Sequence, residues 1–187
     1  MFARSARFVA ACTCAAAVAT APALAALKPG SPAPTFTTQA SLGGKEFSFD
    51  LASALKKGPV VLYFYPAAFT SGCTIEAHDF ADAMDAYHKL GATVIGVSGD
   101  DIAKLDKFSV SECRSKFPVA ADGNHKISRS YDAVLGFGPM TYSDRTSYVI
   151  STDGKIAYAY RSLDPGNHVA NTLAALRALP ATPEASK

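Results

Sequence analysis

Two cysteines, Cys73 and Cys113, lie beyond the N-terminal segment of this 187-residue chain. Cys73 sits in Tyr65–His78, YPAAFTSGCTIEAH, between the apolar run PVVLYFY and a helical pattern. A helix N-terminus leaves backbone N–H groups unpaired and carries the positive end of the helix dipole. A thiol held there is shifted toward thiolate, the form that attacks electrophiles. Ionisation alone gives a limited gain: going from about 3% thiolate at pH 7 to nearly all is a factor of roughly 30. Faster chemistry needs fixed donors aimed at the charge that develops on the attacked atom. The Thr70 hydroxyl, the N–H groups around Cys73 and the Arg145 guanidinium are the candidates. Pro66 ends the strand, where it would stop the ladder and narrow the approach to the thiol.

These residues need a scaffold, and the hydrophobic pattern supplies one. Pro59 to Tyr65 is a continuous apolar run, as expected of a strand buried on both faces. Ala77, Phe80, Met84 and Tyr87 recur at helical spacing over Cys73 to Leu90, and Gly91 ends that helix. Ala92 to Ser98 reads as a second buried strand. Asp100 or Asp101 then caps a helix carrying Ile102, Leu105, Phe108 and, further along, Cys113. A short strand at Pro118 to Ala121 and a short helix at His125 to Ala133 follow. Tyr148–Ser151 and Lys155–Tyr160 flank Asp153-Gly154 as a hairpin, and His168 to Leu179 closes the chain as a helix. Residues 26 to 45 read as an extended lead-in with turns, followed by a short strand in EFSFDL. Alternating strands and helices imply an α/β domain, a central mixed sheet flanked by helices behind an N-terminal extension.

The first 25 residues read differently. Arg4 and Arg7 precede a short apolar stretch, and Ala23-Leu24-Ala25 forms a cleavage site. This is the pattern of a cleavable signal peptide, leaving 26–187 as a single domain. The expected destination is outside the cytoplasm, the bacterial periplasm first, with organelle targeting as the alternative. The leader would remove Cys12 and Cys14, so their spacing is not read as a metal or redox pair. It would also take two of the 18 Lys+Arg, leaving them balanced against 16 Asp+Glu. Such a balance gives no reason to expect nucleic acid or an anionic membrane as partner.

Pro66-x-x-x-Thr70-x-x-Cys73, with Thr74 and Glu76 behind it, resembles the active-site motif of the peroxiredoxins. The Gly72-Cys73-Thr74 form is most similar to the peroxiredoxin Q (bacterioferritin comigratory protein) subgroup. PGSPAPTF, GATVIGVSGDD, FPVAADGNHKIS and Arg145-Thr-Ser-Tyr-Val-Ile extend the resemblance through most of the chain. It implies a thioredoxin-like fold and a thiol peroxidase acting on hydrogen peroxide or organic hydroperoxides. Cys73 would be the peroxidatic nucleophile that becomes a sulfenic acid. Thr70 would bind thiolate and peroxide, Arg145 would stabilise charge, Pro66 would shield the sulfenate, and Glu76 would orient Arg145, with Gly72 beside them. No metal or organic cofactor is implied. The partners would be the peroxide and a thiol reductant, a thioredoxin-like protein or a small thiol. The subgroup implies a monomer.

Many subgroup members carry a resolving cysteine where this chain has His78. Others carry it on the following helix, near Ser109 here, one turn from Cys113. Cys113 is therefore the candidate resolving cysteine, and its alternative is a core cysteine on the Ile102–Leu105 face. The stretch from Tyr131 to Arg145 is shorter than is usual in the subgroup. Thr70 doubles as a possible helix cap, Glu76 as a first-turn acid and Arg145 as a strand-edge cation. His78 is read as a solvated helix residue, and His125 and His168 as residues flanking helices. Competing readings are a thiol–disulfide oxidoreductase and a non-catalytic domain stapled by Cys73 and Cys113, or a redox-sensing one. The first usually needs a C-x-x-C pair, and Glu76 holds its second position. A glutathione-peroxidase-like reading is disfavoured by the absence of tryptophan.

Overall fold

The computed structural model describes residues 26–137 and 140–180. The leader and its cleavage site lie outside the described residues. Nine strands and five helices follow one another among the described residues. Seven strands form one mixed sheet in the order β2 (Lys45–Asp50), β1 (Thr37–Leu42), β5 (Val119–Ala121), β4 (Thr93–Ser98), β3 (Val60–Phe64), β8 (Thr146–Ile150), β9 (Ile156–Arg161). β3, β4 and β5 run parallel, and β8 pairs antiparallel to β3. β3 is therefore central, and all five of its residues are buried.

Its two faces feed two cores. Val61 and Tyr63 join the side covered by α2 (Ser71–Lys89), α3 (Ile102–Ser111) and α5 (His168–Arg177). Val60, Leu62 and Phe64 join the side covered by α1 (Leu51–Leu55) and α4 (Lys126–Ser130). Successive strand residues point to opposite faces, which is why this strand is apolar throughout rather than alternating. On α2, Ala77, Phe80, Met84 and Tyr87 are all buried against the sheet. Gly96 on β4 lies beside Tyr63 in register. A methyl group there would come within 2.7 Å of the tyrosine ring, so the glycine makes room for it.

Four sequence expectations change. The lead-in is not merely extended, because Thr37–Leu42 forms a strand that pairs with both β2 and β5. Its mixed polar pattern fits a strand next to the sheet edge, with only Ala40 and Ser41 fully buried. Leu51–Leu55 forms a single turn of helix capped by Asp50, whose carboxylate accepts from Ser53 N at 2.8 Å. A two-stranded hairpin, β6 (Val134–Phe137) with β7 (Met140–Ser143), precedes Arg145. Cys113 lies just beyond α3 rather than on it, since the helix ends at Ser111 with Glu112 as its C-cap. Arg114 and Ser115 then take left-handed backbone angles, φ 50° and 55°, and turn the chain toward β5.

Candidate active site

Thr70 holds the N-cap position of α2, which places Cys73 at the third helical residue. Cys73 is 2% exposed. Thr74 N donates to Thr70 O at 2.9 Å, so the helical ladder is already running beneath the cysteine. The loop before it is pinned from another strand end. Asp100, after β4, accepts from Ala68 N at 2.7 Å and from Ser98 Oγ at 2.8 Å, and pairs with Lys104 at 2.6 Å. Asp101 instead caps α3, accepting from Lys104 N at 2.8 Å. The two acids that the sequence left interchangeable therefore have different tasks. Phe69 takes a left-handed φ of 67° in that loop, and its ring meets Phe108 edge-on.

Arg145 enters from the start of β8. Its Nη2 lies 3.4 Å from Cys73 Sγ, and its Nη1 donates to Glu76 Oε2. Nε donates to Leu163 O at 3.0 Å, so backbone on the far side fixes the plane of the guanidinium. Arg145 is 4% exposed and Glu76 0%. Burial pushes the Glu76 carboxyl up to about 8, against the opposing charge and hydrogen bond of Arg145. Gly72 permits this approach: a Cβ on it would lie 3.1 Å from Arg145 Nη2. Three sequence candidates, Cys73, Arg145 and Glu76, are thus in direct contact, with Gly72 against them.

Other candidates stand further off. The Thr70 hydroxyl donates to Ala67 O at 3.0 Å rather than to the sulfur, and it forms no side-chain cap bond. Pro66 follows Tyr65, whose N–H donates to Val97 O at 3.1 Å, so the proline stands where β3 leaves the sheet. Cys113 is a free thiol, as is Cys73, and is 0% exposed. Both belong to the core between α2, α3 and the sheet. Burial, then the Glu112 charge, pushes the Cys113 thiol far above its ordinary value. Tyr63 and Tyr65 are buried beside the two sulfurs. Burial and then the charge on Cys113 push both phenols well up, and Cys73 contributes to each.

Two histidines make contacts that the sequence does not announce. His78 reaches across to the end of α3, where its Nε2 lies 2.9 Å from Glu112 Oε2. His168 is wholly buried, with Nδ1 2.8 Å from Ser147 Oγ and 3.5 Å from Glu76 Oε1. Nothing local marks His168 in the sequence, because its surroundings come from three separate elements. No group of three metal-ligating side chains occurs among the described residues.

Comparison with known proteins agrees with this geometry. The AhpC/TSA family model matches residues 29–159. The chain is 36% identical over 152 residues to the chloroplastic peroxiredoxin Q of Oryza sativa subsp. japonica, covering 80% of this chain and 67% of that one. It is 32% identical over 123 residues to peroxiredoxin Bcp of Xanthomonas campestris pv. campestris, 64% of this chain and 76% of that one. Among solved structures, peroxidoxin BcpB from Mycobacterium tuberculosis superposes with a TM-score of 0.75 at 31% identity, covering 82% of this chain and 99% of the other. A buried cysteine against an arginine on a sheet-and-helix scaffold agrees with this similarity along most of the chain's length, which places the chain in the AhpC/TSA family: it is a peroxiredoxin of the peroxiredoxin Q/Bcp kind, a thiol-dependent peroxidase.

Proposed function

We propose that Cys73 is the peroxidatic cysteine. Its thiolate attacks one peroxide oxygen, the S–O bond forms as the O–O bond breaks, and the departing oxygen takes a proton. The products are a Cys73 sulfenic acid and water or an alcohol. Arg145 Nη2 serves both ends of this step, balancing the thiolate and donating to the oxygens that gain charge. Thr70 comes to the peroxide from the helix cap, and Pro66 walls the approach. The contact of Arg145 Nη2 with Cys73 Sγ at 3.4 Å, at a helix N-terminus, is the observation that carries this reading.

The sulfenic acid is then attacked by the Cys113 thiol, releasing water and leaving an intramolecular disulfide. An external dithiol, on a thioredoxin-like protein or supplied by small thiols, returns both cysteines to the reduced state. Placement of both sulfurs in one core supports this pairing. The protein acts as an exported monomer, a reading supported by the N-terminal pattern of two arginines, an apolar stretch and an A-x-A site, and by the subgroup resemblance.

Peptide mass mapping of the reduced protein after one equivalent of hydrogen peroxide tests the cycle. A Cys73–Cys113 linkage within one chain is the expected result. Cys73 as sulfenic acid with Cys113 still a thiol would instead mean a one-cysteine enzyme. Cys73 remaining a plain thiol would overturn the assignment.

A further inference from the structure

His168 opens α5 and lies buried where α5 meets α2, β8 and β9. Its Nε2 is 3.1 Å from the Ser162 carbonyl oxygen, which can only accept, so this nitrogen carries a proton. Its Nδ1 faces Ser147 Oγ at 2.8 Å and Glu76 Oε1 at 3.5 Å. That Oε1 is buried and has no hydrogen-bond partner of its own. Glu76 Oε2 takes Arg145 Nη1, and Arg145 Nη2 reaches Cys73 Sγ at 3.4 Å. A continuous polar path therefore runs from the start of α5 to the sulfur. With Nε2 protonated, the Ser147 hydroxyl can donate to Nδ1, but Oε1 is left without a donor unless a proton sits on the Glu76 carboxyl or between it and Nδ1. That proton makes either an imidazolium with a carboxylate or an imidazole with a carboxylic acid.

Charge decides what this proton does. Cys73 and Glu76 share one guanidinium. Without the proton, Glu76 neutralises Arg145, and a thiolate adds a second buried anion. With it on the Glu76 carboxyl, the thiolate is the sole counter-charge of Arg145; with it on the imidazole, His168 supplies a second cation that offsets the carboxylate. The other groups facing the pair are Asp79 on α2, which acts on Glu76, Asp164 ahead of α5, which acts on His168, the phenols of Tyr63 on β3 and Tyr87 on α2, which feel the Glu76 charge, and Tyr160 on β9, whose ring meets the imidazole edge-on. Burial pushes His168 down, with Arg145 adding to it, and pushes Glu76 up. Both directions favour the imidazole with the carboxylic acid.

We propose that His168 is a positioning residue of the Cys73 site: with Glu76 it holds one proton, and so sets how much of the Arg145 charge is available to the Cys73 thiolate. This rests on Cys73 as the peroxidatic sulfur. The test follows alkylation of Cys73 by iodoacetamide in the full chain, read on the Cys73 peptide by mass spectrometry across pH. Wild type should rise in two steps, as coupled groups do. His168→Gln, whose amide N–H holds Glu76 as carboxylate, should show one step and react about tenfold more slowly below neutral pH. Ser147→Ala removes the hydroxyl that satisfies Nδ1, tightens the shared proton and should move the upper step to higher pH.

A His168→Gln profile of unchanged shape, whether superimposed or uniformly scaled, would reduce His168 to packing and overturn the proposal. Should that variant not fold, an unmoved upper step in Ser147→Ala overturns it equally. Peroxide consumption is measured on the same proteins. Separated alkylation profiles in a wild type that consumes no peroxide would sink the peroxidase role of Cys73 and leave the His168 linkage standing.

Discussion

Glu76 and His168 respond to pH in opposite senses, and each leaves a mark on stability. The folded Glu76 carboxyl titrates near 8 against an ordinary value of 4.5, because burial outweighs Arg145. Between those limits the folded chain holds a proton that the unfolded chain releases. The contribution is complete below the ordinary value and is lost as pH rises through the folded one. His168 is lowered, so its contribution is present above its ordinary 6.5 and lost as pH falls through the depressed value. Glu76→Gln cannot ionise, so its melting temperature should fall less than that of wild type between about pH 5 and 8. Thermal unfolding at matched ionic strength checks this, and parallel slopes would contradict it. At this scale the sequence was informative where a motif fixes offsets. Cys73, Glu76 and Gly72 lie within one helical turn, and Arg145 carries its own strand context. His168 was illegible for the opposite reason. A single histidine at a helix start looks like a flank until α2, β8 and β9 close around it.

At the scale of elements, the segment after α3 is fastened to α2 along its length. His78 meets Glu112 at 2.9 Å, Arg114 meets Asp82 at 2.5 Å, and Lys116 Nζ donates to Ala81 O at 3.0 Å. Cys113 sits inside this row of ties, so it moves toward Cys73 only as ties loosen. Partly exposed pairs of this kind contribute about 0.2–1 kcal/mol each, or about 1.5- to 5-fold in an opening equilibrium. His78→Ala should therefore speed disulfide formation after peroxide by about that factor, while leaving sulfenic acid formation nearly unchanged. Rapid-quench alkylation with intact mass analysis separates the two steps, and an equal or slower disulfide step would count against Cys113 as the resolving residue. Of these elements, the long ones were readable. β3, β4 and α2 announce themselves through unbroken or periodic apolar residues. β1 and the β6–β7 hairpin do not, because a polar strand such as β1 and strands as short as four residues owe their form to their partners rather than to their own pattern.

Across the whole molecule, both cysteines belong to the same core and both are buried. Linking them requires cysteines whose Cα atoms come within about 7 Å, with suitably directed side chains. The first turn of α2 begins at exposed Thr70 and Ser71 and is tied by Arg145 and the Asp100-anchored loop, whereas β3 is buried on both faces. Oxidation should therefore raise backbone hydrogen exchange at residues 70–77 while β3 and β4 stay protected. Equal protection in the two redox states would mean that the bridge forms without unwinding, or does not form.

All eight tyrosines lie within the described residues, and the chain has no tryptophan. Two of them, Tyr63 and Tyr65, are stacked within the core that holds both cysteines. With no tryptophan, phenol rings dominate the near-ultraviolet signal of this protein, and Tyr63 and Tyr65 are buried in the core that holds both sulfurs. A change of thiol state should therefore register in near-ultraviolet circular dichroism with no attached dye and no engineered reporter residue, and superimposable spectra of the two redox states would contradict this.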